Sequence, residues 1–400
     1  MVAPPERVAL VHDWLLPRSR GGAEQVVREL DGLLHGWAGQ PALFSLVEAE
    51  SRQSGSWLAG RRVQTSFLQH LPLGQRAVQL WLPLLPLAIE QLDLSGYPLV
   101  LSSSHLVAKG VLTDPDQLHI SYVHTPVRYA WDQMATYVGR SGLAGTPLEP
   151  LLRLQLQALR RWDVISSLRI DQLVANSRFT ARRIRRCWRR SAAVVHPPVA
   201  VERFRPDQPR EAFYLSLCRL VPNKRVDLVV EAFNRTGLPL VVIGDGPERR
   251  RLQAIARPNV RLLGACSDGE AAGWLERCRA YVYAGVEDFG IAPVEAMAAG
   301  APVIAYGAGG LCDSVRCLVA GAEAPTGLLF PDQSAACLAA ALEHFEQGRL
   351  WQRLPADEQR RWAEGFAPER FQQRMQRLLE RSWERHRRWL QHQRGPVPLA

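Results

Sequence analysis

The seven cysteines of this 400-residue chain are odd in number and scattered, and none forms a CxxC pair. Zinc ribbons and thioredoxin-like dithiols are thereby excluded. Cys218 and Cys278 lie in or beside apolar segments and read as small core residues, so a reducing compartment fits. Long apolar runs are also missing. The longest, residues 80–89, is too short for a transmembrane helix and is broken by Pro83 and Pro86. Residues 1–7 run straight into a strand-like segment without the apolar core of a signal peptide. A soluble or peripheral cytoplasmic protein is expected. No G-x-G-x-x-G spacing follows a predicted strand, which counts against a bound NAD or FAD.

What is present is ordinary globular material with a basic surplus. The chain is 47% hydrophobic and 22% charged, close to globular averages. Its length exceeds what a single core of about 250–300 residues accommodates, so two domains are expected. The formal charge is +10, which favours anionic partners: nucleic acid, acidic lipid or phosphorylated substrates. Much of it falls in residues 182–190 and in the tail from Arg374 to Arg394.

Short apolar runs at residues 213–217, 240–243, 260–263, 280–283 and 302–306 alternate with amphipathic stretches at 226–233, 248–256 and 268–277. This pattern predicts a parallel sheet covered by helices on both faces. Several of its strands end in glycine-containing loops at Gly244, Gly264, Gly285 and Gly307. Such loops lie outside the carboxyl ends of the strands, where open α/β sheets bind ligands. The first half opens in the same way, with strands at residues 8–11, 100–103, 118–123 and 172–175 and a helix at 23–34. Residues 71–94 and 150–168 read as Leu-rich, largely helical insertions. His196-Pro197-Pro198 marks a boundary, because paired prolines force extended backbone. A long Arg/Leu/Trp helix begins near Pro368.

Five places are candidates for chemistry. Glu287-Asp288-Phe289-Gly290-Ile291-Ala292-Pro293-Val294-Glu295 places two glutamates with seven residues between them. The first stands in the loop leaving a strand, and the second in the first turn of a helix with Pro293 at N1. Backbone N–H groups of Phe289, Gly290 and Ile291 then face the crevice, where a phosphate or sugar hydroxyl could accept them. Carboxylates accept hydrogen bonds from sugar hydroxyls; alternatively Glu295 only complements the helix dipole, worth about 0.3–1 kcal/mol. Arg219 and Lys224 follow another strand across a Pro-containing turn. Two cations at one crevice suit a pyrophosphate, the alternative being a solvated basic turn. Gly21-Gly22 before a helix lets backbone approach a ligand closely. His124 stands at a strand end, where imidazole can titrate. Asn176-Ser177 is either a helix N-cap or a crevice loop.

At these residues the chain resembles the retaining GT-B glycosyltransferases of family 4. The resemblance rests on Glu287 to Glu295, Arg219 with Lys224, the segment 242–248, the Gly21-Gly22-Ala23-Glu24 loop, residues 174–179 and Pro197-Pro198-Val199. His12-Asp13-Trp14-Leu15, residues 85–91, Ser102-Ser103-Ser104-His105 and residues 124–132 look closest to bacterial mannosyltransferases of polysaccharide and O-antigen assembly. Ala292 and Cys218 depart from the usual pattern without removing a polar group. The resemblance implies an α/β GT-B fold, with two facing Rossmann-like doubly wound domains and a deep interdomain cleft. Residues 1–196 would form the acceptor-binding domain, residues 197–370 the nucleotide-sugar-binding domain, and residues 371–400 a helix crossing back to the first.

The resemblance further implies transfer of a hexose, mannose from GDP-mannose being the first choice, to a saccharide or lipid-linked saccharide. Arg219 and Lys224 would hold the donor diphosphate and Glu295 the ribose. Glu287 with the backbone of Phe289, Gly290 and Ile291 would hold the sugar, and His124, Gly21 and Gly22 would close over the donor. No cofactor and no divalent metal are implied, in agreement with the lack of a DxD motif at any predicted strand end. Two other readings stay open: a hydrolysing sugar-nucleotide epimerase, and a basic nucleic-acid-binding protein. The arginines are interleaved with Leu and Trp at helical spacing, which fits peripheral contact with anionic lipid better than nucleic acid. That contact is expected through residues 182–190, around Ile184, Cys187 and Trp188, together with residues 80–89.

Overall fold

The computed structural model describes residues 3–17, 21–75, 78–319, 321 and 323–393. Arg18, Ser19 and Arg20 of the first loop and Arg394 of the tail lie outside the described residues. Contacts divide the chain into two compact units. The first takes in residues up to His196 and the segment from Phe371; the second is Pro197–Arg370.

Among the described residues the first unit holds seven strands: β1 Val8–His12, β2 Ala42–Ser45, β3 Val63–Thr65, β4 Leu99–Ser104, β5 Leu118–Val123, β6 Gln172–Ala175 and β7 Ala193–Val194. Their order is β3-β2-β1-β4-β5-β6-β7, and every pairing is parallel. Every residue of β1, β4 and β5 is buried, so both faces of the sheet must be covered. The helix Gly22–Ala38 covers one face with Val26, Val27 and Leu30. Phe371, Met375, Leu379 and Trp383, four residues apart on the helix Pro368–Gln393, fill the same layer. Trp383 Nε1 donates to Ala3 O at 2.9 Å, and Gln372 Nε2 to Glu29 at 2.7 Å. The apolar face of this terminal helix is therefore core, contrary to the expectation that an Arg/Leu/Trp helix of this kind lies on lipid.

The helices Leu85–Glu90, Glu149–Ser167 and Arg178–Trp188 cover the opposite face. A buried ion pair ties the last two of these to the segment after β4. Lys109 Nζ lies 3.0 Å from Asp163 Oδ1, and both side chains are almost wholly inaccessible. Asp163 Oδ2 also accepts Trp131 Nε1 at 2.8 Å and Trp188 Nε1 at 2.7 Å. The Lys109 ammonium sits over the rings of Trp162 and Trp188, at 4.7 and 5.0 Å from their centroids. A charge so enclosed is tolerable only with such partners. On the helix Arg178–Trp188, Ile184 and Trp188 point into this core. They are not a lipid-facing surface, as the sequence pattern suggested.

The second unit holds β8 Tyr214–Leu217, β9 Leu240–Ile243, β10 Val260–Gly264, β11 Ala280–Tyr283, β12 Val303–Tyr306 and β13 Gly327–Phe330. All are parallel, in the order β10-β9-β8-β11-β12-β13. The helices Val226–Thr236 and Ala335–Gln347 pack on one face, and Asp268–Arg277 and Ile291–Ala298 on the other. Ser267 and Glu270 close a capping box at the start of Asp268–Arg277.

Two local expectations change. Among the described residues of 71–94 the helical segments are a 3-10 stretch, Val78–Leu84, and the six-residue helix Leu85–Glu90. Pro83 and Pro86 remove N–H donors there, and Trp81 leaves helical dihedrals at φ −92°, ψ 19°. The helix carrying Glu295 begins at Ile291 behind Gly290, so Pro293 is its third residue and Glu295 falls beyond the first turn. A proline is accommodated there because the first four N–H groups of a helix lack intrahelical acceptors.

Removing the carboxylate in Asp163→Ala strands a buried ammonium, and urea denaturation should show a loss of about 3–5 kcal/mol. The paired replacement Lys109→Met with Asp163→Leu should cost far less. Equal losses in the two variants would mean that the pair does not act as a unit.

Candidate functional site

In both sheets the strand order reverses at one place: between β1 and β4 in the first, and between β8 and β11 in the second. Successive crossovers there leave to opposite faces and open a crevice at the carboxyl ends.

In the second unit, the crevice is bordered by the turns after β8 and β11. Arg219 stands two residues beyond β8, exposed, with no side-chain hydrogen bond or ion pair among the described residues. The chain then turns through the 3-10 segment Pro222–Lys224. There Lys224 Nζ donates a short charge-assisted hydrogen bond to Glu287 Oε1, from the turn after β11. Tyr283 OH donates to the same oxygen at 2.5 Å. Burial first, and then the carboxylate of Glu287, push the Tyr283 phenol well above its usual range, so it remains a donor.

Past Glu287 the side chain of Phe289 turns into the core, 5.5 Å from the ring of Phe366. Gly290 takes φ +93°, and a Cβ there would lie 2.9 Å from Leu311 Cδ1. This left-handed residue turns the backbone so that the helix Ile291–Ala298 starts at the crevice. Glu295, one turn on, meets Arg203 at 3.3 Å. Burial raises its carboxyl above the usual carboxylate range, with Arg203 working in the opposite direction. The structure thus brings Arg219, Lys224, Glu287, Phe289, Gly290, Ile291 and Glu295 to one edge of one sheet.

Sequence reading missed two supports of this edge. Arg203 ends the 3-10 segment Val201–Arg203. Gly309-Gly310 presses on the Glu287 turn: Gly310 N donates to Glu287 O at 2.8 Å, and a Cβ on Gly310 would meet Asp288 O at 2.2 Å. The cluster of glycines after β12 was the available signal.

In the first unit, His124 follows β5 and its Nε2 lies 2.9 Å from Ser103 Oγ. Burial, then the neighbouring His105 and His12, hold His124 well below the usual imidazole range. His12, at the end of β1, has Nδ1 2.8 Å from the carbonyl of Ser103. A carbonyl can only accept, so Nδ1 carries the proton and the buried Nε2, which has no partner, presents its lone pair. Asp13 accepts the backbone N–H groups of His105, Leu106, Val107 and Ala108 at 2.6–3.1 Å, and His105 Nδ1 lies 3.1 Å away. Burial would raise this carboxyl, but the two histidines and the N–H groups outweigh it and hold it low.

His12, Asp13 and His105 have metal-ligating chemistry and lie within reach of one another. The four N–H donors nevertheless occupy the lone pairs of Asp13, which makes it an anchor for the loop after β4 rather than an open ligand. Gly21 caps the helix Gly22–Ala38 in extended backbone, and Gln25 N donates to Gly21 O at 3.1 Å. Asn176-Ser177 is a cap: Ser177 Oγ accepts Thr180 N at 3.0 Å, while Asn176 Nδ2 donates to His124 O at 3.0 Å.

Residues 201–365 match the family model of the glycosyl transferases group 1. That stretch is nearly all of the second unit. The match is to this domain of the chain and leaves the first unit outside it.

The chain is 27% identical over 260 residues to a D-inositol 3-phosphate glycosyltransferase of Streptomyces avermitilis, covering 55% of this chain and 53% of that protein. It is 36% identical over 129 residues to a GDP-mannose-dependent alpha-mannosyltransferase of Mycolicibacterium smegmatis, covering 32% of each. It therefore spans about half, or less, of the length of these curated relatives. Among solved structures, sucrose-phosphate synthase of Thermosynechococcus elongatus aligns with TM-score 0.67 at 18% identity, covering 95% of this chain and 99% of that one. HepE of Anabaena, in complex with UDP and glucose, aligns with TM-score 0.64 at 15% identity, covering 94% and 99%. At such identities the likeness is one of fold: two Rossmann-like units of the GT-B class. The matched stretch includes Arg219, Lys224, Glu287 and Glu295.

The buried histidines make the first unit acid-sensitive. His124 and His119, the latter pushed down to about 3 mainly by burial, are neutral in the fold but take up protons when unfolded below about pH 6.5. Their folded values are depressed, so their contribution is complete above pH 6.5 and is lost as pH falls towards the folded values. At pH 5.5 each should cost up to about 1.4 kcal/mol. Urea midpoints at pH 7.5 and 5.5 should differ accordingly, and His119→Gln should shrink the difference. A midpoint independent of pH in this range would contradict the assignment.

Proposed function

We propose that this chain is a retaining glycosyltransferase of family 4. In this reading it moves a hexose from a nucleotide-diphosphate donor to a saccharide or lipid-linked saccharide of cell-surface polysaccharide assembly. The observation that carries the proposal is the edge of the second sheet, where an exposed arginine and a glutamate-paired lysine stand beside a helix N-terminus at the strand-order reversal. Among the described residues no helix is long and apolar enough to cross a membrane. This is consistent with a cytoplasmic enzyme in peripheral contact with the inner face of the cytoplasmic membrane.

In this reading the forked guanidinium of Arg219 and the ammonium of Lys224 take the diphosphate oxygens. Their charge stabilises the phosphate as its bond to the anomeric carbon breaks. Glu295 accepts from the ribose. Glu287 and the backbone at Phe289, Gly290 and Ile291 accept from and donate to sugar hydroxyls. In the first unit, His124 with Gly21 and Gly22 are the proposed substrate contacts, with His124 neutral and able to accept or donate one proton. The acceptor oxygen bonds to the anomeric carbon on the face the phosphate leaves, and a departing phosphate oxygen takes its proton. No side-chain nucleophile is assigned, and two cations stand in for a divalent metal.

Mannose and GDP are the preferred donor parts, supported by the two relatives named as GDP-mannose-dependent alpha-mannosyltransferases. Neither the epimerase nor the nucleic-acid reading draws support from the matched domain or relatives. Thermal shift against a panel of nucleotide sugars should give its largest stabilisation with GDP-mannose and GDP. A larger shift with a UDP-sugar would reassign the base while leaving the site intact.

Arg219→Ala should lower donor affinity or kcat/KM by roughly tenfold to a hundredfold, from the loss of about 1.5–3 kcal/mol of charged hydrogen bonding. Unchanged turnover and donor affinity would remove Arg219 from the site. Excess EDTA should leave most of the activity. Loss on chelation, restored by magnesium or manganese, would overturn the metal-free mechanism.

A further inference from the structure

The charge of the chain is concentrated. Residues 128–190 contain thirteen arginines, no lysine and four carboxylates, a net charge of +9 out of +10 for the whole chain. Three of those carboxylates are already committed: Asp132 to Arg183, Glu149 to Arg153 and Asp163 to Lys109. Arg161, Arg182, Arg185, Arg186 and Arg189 are exposed, and their side chains make no hydrogen bond or ion pair among the described residues.

The same surface is apolar. The helix Glu149–Ser167 buries Leu152, Leu156, Leu159 and Asp163. On the opposite side, Leu151, Leu154, Ala158, Arg161, Ile165 and Leu168 follow one another at spacings of three and four, which aligns them along a single outward stripe. Leu151, Leu154, Ile165 and Leu168, with Leu80 and Leu87 from the neighbouring segment, are 54–68% exposed. That segment is joined to the helix by Leu82, which packs on the cluster of Val138, Leu152 and Leu156, and by Trp162 Nε1 donating to Glu90 at 2.9 Å. The arginine-bearing helix Arg178–Trp188 is joined to it through Asp163 and through Arg190 donating to Ser167 O at 2.5 Å. All three lie on one face of the first unit.

We propose that this face, formed by residues 78–90, 149–168 and 178–189, docks on an anionic lipid surface. The leucine stripe enters the headgroup boundary and the arginines meet lipid phosphates. A large exposed apolar patch needs an explanation, and an interfacial helix with an apolar stripe beside arginines has the required chemistry. Charge complementarity selects the occupant. A second copy would set one strongly basic surface against another, whereas an anionic bilayer neutralises it. The proposal refines the peripheral placement suggested above. It exchanges the supporting residues: Ile184 and Trp188 are core, and the stripe on Glu149–Ser167 supplies the apolar contact.

The test is sedimentation of the full chain with phosphatidylcholine vesicles and with vesicles that also contain phosphatidylglycerol, at low and high salt. Binding should require the anionic lipid and weaken with salt. Replacing Arg182, Arg185, Arg186 and Arg189 together by Gln should lower partitioning by about a hundredfold or more. The variant L154S/I165S/L168S should lower it about tenfold, and most visibly at high salt. Both variants should keep the wild-type thermal shift with nucleoside diphosphate. That readout verifies the fold and keeps failure of the surface distinct from failure of the sugar-transfer reading. Equal partitioning on neutral vesicles, wild-type partitioning by the arginine variant, or a dimer in ultracentrifugation that the serine variant dissolves would each overturn the proposal.

Discussion

The parallel pairing of β8 with β11 is the constraint on which the second unit depends. The register Tyr214 to Ala280 and Leu215 to Tyr281 is short, and beyond it the two chains separate. The chain after β8 enters the helix Val226–Thr236 on one face; the chain after β11 enters Ile291–Ala298 on the other. Divergence at that point leaves the polar backbone of two turns at the carboxyl ends of the strands. Lys224 and Glu287 bridge the turns, so their charges satisfy one another while Arg219 stays exposed. The same fold that hides the strands on both faces leaves their carboxyl ends as the place where chemistry can be held.

The first unit follows the same topology with different contents. Its reversal point, between β1 and β4, is filled by imidazoles and a carboxylate held by backbone N–H groups. Neutral histidines suit a buried place because the uncharged ring avoids the cost of desolvation. On the flank of the unit the logic is reversed. Arginines there far outnumber carboxylates, and a buried Lys109–Asp163 pair fastens the helices that carry them. Stability and surface charge are thus separated, with one charge pair inside and the unpaired cations outside.

The alternation of apolar runs with amphipathic stretches made the second sheet legible, because β8 to β12 are largely apolar segments of four or five residues. Ala42–Ser45, Val63–Thr65, Ala193–Val194 and Gly327–Phe330 were not read as strands. They are two to four residues long, and their strand character comes from pairing with neighbours distant in sequence rather than from local pattern. The glutamate spacing from Glu287 to Glu295 was readable as a local motif. The association of His12 and Asp13 with His105 was not, since it arises from the β1–β4 register, which sets His12 beside Ser103. The outward leucines on Glu149–Ser167 escaped for another reason. A helix apolar on both faces gives no periodic signal to tell buried from exposed, and only packing separates Leu152 from Leu151. The arginine helix misled in the opposite sense, because Ile184 and Trp188 look lipid-facing until the sheet beneath them is seen.

The central claim is that the β8/β11 edge binds a nucleoside diphosphate. Hydrogen–deuterium exchange on the full chain, with and without GDP and UDP, tests it most directly. Slower exchange confined chiefly to residues 219–225 and 287–295 is predicted with at least one of the two nucleotides. No change there with either nucleotide, or protection centred elsewhere in the chain, would contradict the account.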